Sequence, residues 1–257
     1  MNGDYFKPTS VRLAEAMERA RQQWRTRRDI ALSLGPRQAP GPHRPPFTVA
    51  LSCDAGTDGH GVAQAVGERL GWQVYDHELV EQIAREMGVR TELLESLDER
   101  QMNWLGELFQ LLFTGEAVSA TVYAHHLART LFALAAHGEC VVVGHGGAQI
   151  LPPATTLRVR LVGPRHERVT AAQRQSGRPR EEAERWVEEV DRQRRAFIHE
   201  HFHKDSADPE QYDLLLNAFR LSPTQCADVI VTALRQLQGT APAEPAATAG
   251  VATPQAQ

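Results

Sequence analysis

Apolar residues recur along this chain in two alternating patterns, which together predict a sheet covered by helices. Short apolar runs of the kind found in buried strands end in polar or glycine residues, as in "FTVALSC", "WQVYD", "CVVVGHGG", "TTLRVRLVG" and "YDLLLNA". Between these runs, apolar residues return every three or four positions, which is the period of an amphipathic helix. Strands that alternate with helices favour an α/β fold, in which a parallel sheet has helices on both faces.

The pattern is interrupted by two segments rich in proline, glycine and alanine, and these set the predicted boundaries. Residues 34–46 are predicted to be a linker, and residues 239–257 a disordered Ala/Pro/Thr tail. Residues 1–33 form a predicted helical extension, with a helix over residues 11–29. The apolar stripe of this helix consists of Val11, Leu13, Ala16, Met17, Ala20 and Trp24. The core domain therefore spans residues 47–238.

Composition excludes several classes of protein. The chain of 257 residues has a formal net charge of −4, which gives no support for binding to nucleic acid or to an anionic membrane. No apolar run is long enough to span a membrane, and the N-terminus lacks the apolar core of a signal peptide. Cys53, Cys140 and Cys226 are scattered and odd in number, which argues against a disulfide scaffold or a zinc ribbon. We therefore expect a cytoplasmic protein without a nucleic-acid or membrane partner.

The segment after the first strand, residues 54–61, is placed like a nucleotide-binding phosphate loop. Such loops use glycines so that backbone N–H groups approach a phosphate, and a lysine neutralises charge on the β- and γ-phosphates. In the pattern GxxxxGK[ST], this segment keeps only Gly59, while His60 takes the lysine position and Gly61 the hydroxyl position. Asp58 adds negative charge where an anion would bind. Two interpretations remain open: an altered phosphate site, or a glycine turn that allows close packing.

Six short segments follow one another in an order that carries a family resemblance. They are the loop with Ser52, Gly56 and Gly59, "LGWQVYDHELV" at 70–80, "VVVGHGGAQIL" at 141–151, "RLVGPRHERV" at 160–169, "DRQRRAFIHEHF" at 191–202 and "YDLLLNAFRLS" at 212–222. With these segments the chain resembles the cytidylate kinase-like family, a divergent branch of the P-loop nucleoside monophosphate kinases. The resemblance spans residues 48–237. It implies a P-loop NTPase-type α/β fold with a helical acceptor-binding insert and an arginine-rich lid.

The resemblance also implies three groups of site residues. The nucleotide-binding positions are Gly56, Thr57, Asp58, Gly59, His60 and Gly61. The acceptor-binding positions are Asp76, His145 and Gly146. The catalytic positions are Arg168, Arg174, Asp191, Arg192 and Arg195, because lid arginines stabilise a transferring phosphoryl group. In this scheme Asp191 orients Arg195 or a magnesium-bound water. The implied cofactors are ATP and Mg²⁺, and the implied partner is a nucleotide.

Several of these residues also have a purely structural interpretation. Asp76 can cap the helix that follows it, and the lid arginines can pair with the glutamates that alternate with them. His199 and His203 have a spacing that suits a metal, but no third ligand is evident, so no metal site is predicted. Cys53 is either a reactive thiol beside the loop or an inert buried one. The helical segments are candidates for contact with a second copy of the chain.

Three positions depart from the family pattern. Cys53, His60 and His145 stand where family members usually carry arginine. Arginine matches phosphate geometry with a charged fork, which neither cysteine nor neutral histidine supplies. The sequence therefore leaves two hypotheses. One is ATP-dependent phosphoryl transfer to a pyrimidine nucleoside monophosphate, such as CMP or dCMP, or to another small acceptor. The other is a catalytically degenerate kinase fold that senses a nucleotide or binds a partner.

Overall fold

In the part of the chain that the structure describes, five strands form one parallel sheet. The structure is a computed structural model that describes residues 9–34, 46–85, 91, 93–95, 97, 101–102 and 122–240. The strands are β1 (Thr48–Cys53), β2 (Gln73–Tyr75), β3 (Cys140–Val143), β4 (Thr156–Val162) and β5 (Leu214–Asn217). They lie in the order β2-β3-β1-β4-β5, and every neighbouring pair is parallel.

Helices connect these strands in chain order. They are α1 (Thr9–Leu34), α2 (Gly59–Leu70), α3 (His77–Arg85), α4 (Val122–His137), α5 (Gly147–Ile150), α6 (Arg165–Ser176), α7 (Arg180–Phe202) and α8 (Pro223–Thr240), with a 3₁₀ turn at Pro209–Gln211. The charged stretch at residues 165–204 contains two helices, because Gly177 ends α6 with a positive φ of 68°. Ser222 caps the start of α8, since the Gln225 N–H donates to its hydroxyl at 3.2 Å.

The sheet buries both of its faces, which confirms the predicted α/β class. On one face, α2 and α8 pack against residues such as Val49 and Leu51 of β1. On the other face, α1, α3, α4, α5 and α7 pack against residues such as Ala50. Because alternate residues of a strand face opposite sides, a strand that is buried on both faces must be apolar throughout. This two-sided burial explains the continuous apolar runs in the sequence.

The N-terminal helix α1 packs directly on the sheet domain. Leu13, Ala16 and Met17 are buried in the same core as α3 and α4, and Ala20 is also buried, as the predicted stripe requires. Val11 is the exception, because 42% of its surface remains exposed. The helix is also longer than predicted at both ends.

Two polar contacts reinforce the position of α1. Arg12 forms ion pairs with Asp76 and Glu78 at the start of α3. Farther along, the Trp24 ring stacks on His137 with centroids 3.8 Å apart. α1 is therefore held at both α3 and the end of α4.

Some predicted segments lie outside the residues that the structure describes. Residues 35–45 of the linker, 241–257 of the tail and most of residues 86–121 in the helical insert lie outside the described residues. Contact with a second copy of the chain through the helices stays a prediction. None of the described helices has the length and apolar character needed to cross a membrane.

The two-sided core makes a prediction about stability. Leu161 of β4 is fully buried, so Leu161→Ala should lower the free energy of unfolding by about 2–5 kcal/mol. Leu215 of β5 is 47% exposed, and the same substitution there should cost less than about 1 kcal/mol. Guanidinium unfolding followed by circular dichroism measures both. Equal losses in the two variants would contradict the assignment of Leu161 to the core.

Candidate functional site

The carboxyl ends of β1 and β3 lie side by side at the centre of the sheet, and the chain leaves them in opposite directions. After β1 it enters α2 on one face, and after β3 it enters α5 on the other. Open α/β sheets bind ligands in the crevice that such a reversal creates. A cavity of about 570 Å³ opens at this point. The fold alone therefore marks this edge as the candidate site.

Four parts of the chain surround the cavity. The strand ends contribute Ser52 to Asp54 and Val143 to Gly146, α3 contributes His77 and Glu81, and α7 contributes residues from Val190 to Ile198. Arg160 and Arg168 add further guanidinium groups, and Tyr123 and Phe197 add aromatic rings. This combination of cations and ring faces suits an anionic ligand that also carries a planar group.

Most of the arginines at the cavity already have partners. The Arg160 guanidinium pairs with Asp54 at 3.0 Å, and Arg168 pairs with Asp191 at 2.6 Å. Arg194 donates one hydrogen bond to the Cys53 carbonyl at 2.7 Å, which leaves its other N–H groups open. Among the described residues, Arg195 makes no ion pair or hydrogen bond. The positive charge available to a ligand therefore comes mainly from Arg194 and Arg195.

The glycine loop after β1 is packed too tightly for larger residues at two positions. Gly56 has a positive φ of 83°, and a Cβ there would collide with the Arg168 carbonyl oxygen. A Cβ on Gly59 would collide with the Cys53 sulfur. Close packing alone therefore accounts for both glycines, and their presence does not by itself require a phosphate.

Carboxylates of the chain itself occupy two backbone donors of the loop. The Gly61 N–H at the start of α2 donates to Asp58 Oδ1 at 2.9 Å, and the Ala55 N–H donates to Asp191 Oδ1 at 2.8 Å. The Thr57 hydroxyl is also used within the loop, since it donates to the Asp54 carbonyl at 2.7 Å. A phosphate at the start of α2 would have to compete with the cap formed by Asp58.

Asp191 holds the loop to the two helices above it. Its second oxygen accepts from Arg168 Nη1, which also donates to the Ala55 carbonyl at 3.1 Å. Arg168 Nε donates to the Gly163 carbonyl at 3.0 Å. Among the described residues, Asp191 contacts the loop and Arg168, and its predicted role of orienting Arg195 or a magnesium-bound water stays a prediction.

Other predicted residues lie away from the cavity. Asp76 accepts from the Leu79 N–H at 3.0 Å, so it caps α3 as its structural interpretation anticipates. Arg192 is exposed and pairs with Glu189 at 2.7 Å, and Arg174 is exposed near the end of α6. His60 lines a separate groove beneath α1. The cavity brings together Arg168, Asp191, Arg195, His145 and Gly146 from the predicted set.

His145 has an unusual backbone and an uncharged side chain. Its φ is 54°, between Gly144 at 80° and Gly146 at 76°, and non-glycine residues rarely adopt this region. A Cβ on Gly146 would collide with Ile198 and Phe202 of α7. Burial, together with the neighbouring His77, lowers the pKa of His145 to about 3. At neutral pH this imidazole carries no charge, so His145 does not replace the charge of an arginine.

Three site features were missed in the sequence. Arg160 and Arg194 line the cavity. The signal for Arg160 was the alternation of polar and apolar residues along β4, and the signal for Arg194 was its nearness to the lid motif. Among the described residues, His77, Glu81 and His145 form a group whose possible metal-ligand atoms all lie within 4.8 Å of one another. Its sequence signal was the i, i+4 spacing of His77 and Glu81. By contrast, His203 follows the end of α7 with a φ of 51°, so His199 and His203 do not continue one helical face.

The surroundings of Cys53 favour the inert interpretation of its thiol over the reactive one. Burial, with Asp54 and Asp58 adding to it, outweighs the opposing effect of Arg194 and raises the pKa of Cys53 to about 12. Thiolate is the nucleophilic form of cysteine, and it is scarce at neutral pH when the pKa is this high. The prediction of a reactive Cys53 is therefore not supported.

This pKa gives a measurable expectation. At pH 8 only about one Cys53 thiol in 10,000 is ionised, so native protein should label very slowly with iodoacetamide. In denaturant, Cys53 should react as fast as a free cysteine added as the internal control. Peptide mass spectrometry separates Cys53 from the buried Cys140 and Cys226. Rapid labelling of Cys53 in the native protein would contradict the assignment.

Comparison with known proteins agrees with this architecture. No curated protein matches the sequence. Among solved structures, an uncharacterized protein from Eubacterium ventriosum matches with a TM-score of 0.53 at 17% identity, over 75% of this chain and 98% of that one. At this identity the match shows a shared fold alone. A shikimate kinase from Bacteroides thetaiotaomicron matches with a TM-score of 0.39 at 16% identity, over 75% of this chain and 98% of that one.

The sequence profile of the cytidylate kinase-like family matches residues 48–219. The matched region runs from β1 to the residues just after β5, and so contains the whole sheet, the glycine loop and the cavity. Since this region is more than half of the chain, the protein belongs to the cytidylate kinase-like family and is a nucleotide kinase-like protein.

Proposed function

We propose that this protein transfers a phosphoryl group from ATP to a pyrimidine nucleoside monophosphate, such as CMP or dCMP, or to a similar small acceptor. The observation that supports this most is the cavity at the end of β1, where Arg194 and Arg195 of α7 have N–H donors without a partner among the described residues. Phosphoryl transfer depends on positioning and on neutralising the charge of the transferring group. The two guanidinium groups would neutralise the charge of the transferring group, and the aromatic rings of the cavity would help to position the acceptor.

The acceptor would bind in the cavity with its phosphate toward α7. Arg195 and the open N–H groups of Arg194 would bind the phosphate oxygens, because guanidinium forks match their geometry. Tyr123 and Phe197 would contact the base, since both rings line the same space. Arg168 would act indirectly, because its pairing with Asp191 positions α7 over the loop.

The glycine loop would hold the donor phosphates, and its fit to them is partial. At the start of α2, Gly59 packs against the Cys53 sulfur and Asp58 occupies the Gly61 N–H, so a donor phosphate would have to displace this cap. Mg²⁺ prefers carboxylate oxygens, and Asp58 would hold it through the oxygen that does not cap α2. When bound, Mg²⁺ would neutralise charge on the donor phosphates.

A direct test is calorimetry with ATP·Mg²⁺, CMP and dCMP on the full chain, followed by an assay for ADP release. Arg195→Met should weaken CMP or dCMP binding by about 10-fold or more, because it removes a charge-assisted contact. Arg185→Met, on an exposed part of the same helix, is the matched control and should leave binding unchanged. Absence of heat with every nucleotide at millimolar concentration would exclude the proposal.

The second candidate is a nucleotide-sensing or partner-binding module without turnover. The observation that favours it is the use of the Gly61 and Ala55 N–H groups by Asp58 and Asp191. Here the carboxylates have taken the place of phosphate oxygens, and the cavity would bind a nucleotide without a donor beside it.

Asp58→Asn separates the two candidates. Asparagine caps a helix as well as aspartate does, so α2 keeps its start while the loop loses one negative charge. If ATP binds at this loop, its affinity measured in EDTA, without Mg²⁺, should rise by about 3- to 10-fold, a gain typical of removing one nearby charge at a partly exposed site. An unchanged ATP affinity, together with CMP binding and no ADP release, would favour the module. Thermal melting checks that the variant remains folded.

A further inference from the structure

We propose that His77, Glu81 and His145 form a binding site for a divalent transition-metal ion such as Zn²⁺ in the wall of the cavity. This site is separate from any Mg²⁺ that accompanies ATP, because two of its three ligands are imidazole nitrogens. Zn²⁺, Co²⁺ and Ni²⁺ accept such ligands readily, whereas Mg²⁺ prefers oxygen.

The three side chains already lie at near-coordinating distances. His77 and Glu81 are one turn apart on α3, and His145 approaches from the turn after β3. The His145 Nε2 atom lies 3.9 Å from Glu81 Oε1, and the His77 and His145 ring centroids are 4.0 Å apart. All three ligand atoms lie within 4.8 Å of one another. Ligands around a tetrahedral metal with bonds of about 2.0–2.1 Å are separated by about 3.3 Å, so small side-chain rotations complete the site.

His145 is the residue that most requires a partner. Its side chain is only 4% exposed, and among the described residues neither ring nitrogen makes a hydrogen bond of good geometry, with only the Val143 backbone near enough to act on the ring. A buried polar group without a partner costs free energy, and native structures rarely leave one. A metal ion bound to Nε2 would satisfy this nitrogen. The other two members are accessible enough for an ion to enter, since His77 is exposed and Glu81 is partly so.

Two neighbouring side chains contact the proposed ligand Glu81 in the way that residues around a metal site contact its ligands. The Tyr123 hydroxyl donates to Glu81 Oε1 at 3.2 Å, and Arg85 pairs with Glu81 Oε2 at 3.2 Å. Together these contacts fix the orientation of the carboxylate. Outer partners of this kind orient metal ligands, and their loss typically weakens metal binding by about 10- to 100-fold.

Three protein ligands leave at least one coordination position open, as in catalytic zinc sites. All three ligands line the same cavity as Arg194 and Arg195, so the open position faces the proposed nucleotide site. An anionic oxygen of a ligand in the cavity, from a phosphate or a carboxylate, is the group that fits this position. This part of the inference rests on the proposed function, while metal binding itself does not.

Metal binding is tested on the full, tag-free chain after treatment with EDTA and dialysis. We expect one Zn²⁺ per chain by calorimetry and mass spectrometry of the bound metal. Co²⁺ should give the visible absorption of a low-coordinate nitrogen and oxygen site, and Mg²⁺ should not compete. His77→Gln, Glu81→Gln and His145→Asn should each weaken Zn²⁺ binding by about 100-fold or more, and Tyr123→Phe by about 10-fold.

His203→Asn is a matched control for His145→Asn. Both histidines have a left-handed backbone, with φ values of 51° and 54°, and asparagine tolerates that region. His203→Asn should bind Zn²⁺ like the native chain. If His145→Asn fails to fold by circular dichroism, His77→Gln decides the question, because His77 is exposed.

The proposal is overturned if the native chain binds no stoichiometric Zn²⁺, or if His77→Gln and Glu81→Gln bind it as tightly as the native chain. Calorimetry with CMP on the metal-free protein tests the nucleotide proposal separately. Zn²⁺ binding without CMP binding would keep the metal site and exclude the nucleotide site, and the reverse result would do the opposite.

Discussion

The carboxylate of Asp191 lies between the loop after β1 and the two helices that cover it, and the cavity depends on this arrangement. One oxygen accepts from the Ala55 N–H and the other from Arg168, so one side chain joins the loop, α6 and α7. Arg194 and Arg195 are on the same helix, one turn beyond Asp191. Their position over the cavity therefore follows from where Asp191 is bound. Asp191 thus occupies a backbone donor of the loop and also positions two arginines at the cavity.

Charge around the site is largely neutralised from within the chain. Asp54 pairs with Arg160 and Asp191 with Arg168, so these two arginines add shape and hydrogen-bond donors more than net charge. Two positions where the family pattern has arginine are uncharged here, since Cys53 and His145 are both held neutral by burial. The site is therefore less cationic than its arginine content suggests. A metal ion at His77, Glu81 and His145 would restore positive charge in the wall of the cavity.

The sheet and its glycine loop were predictable from sequence because they depend on local patterns. These patterns involve residues that lie within a few positions of one another in the sequence. They are the apolar runs, the glycines after β1 and β3, and the Ser222 cap. The partners of Asp191 and Arg168 were not predictable, since these contacts join residues that are far apart in the chain. Charge pattern alone also could not separate Arg195, which lines the cavity, from Arg192, which faces solvent beside Glu189. The two residues are three positions apart, which places them only about 60° apart around one helix, so their spacing does not distinguish them.

The position of α1 has a consequence for how the protein is made. Leu13, Ala16 and Met17 pack in a core with α3 and α4, and Trp24 stacks on His137 at the end of α4. During synthesis, α1 leaves the ribosome before either helix exists, so its apolar face lacks part of its core until α4 has been made. The packing of α1 is therefore completed only after α4 has formed. Contacts between residues so distant in sequence form slowly, which makes α1 a candidate for protection by a chaperone while the nascent chain grows.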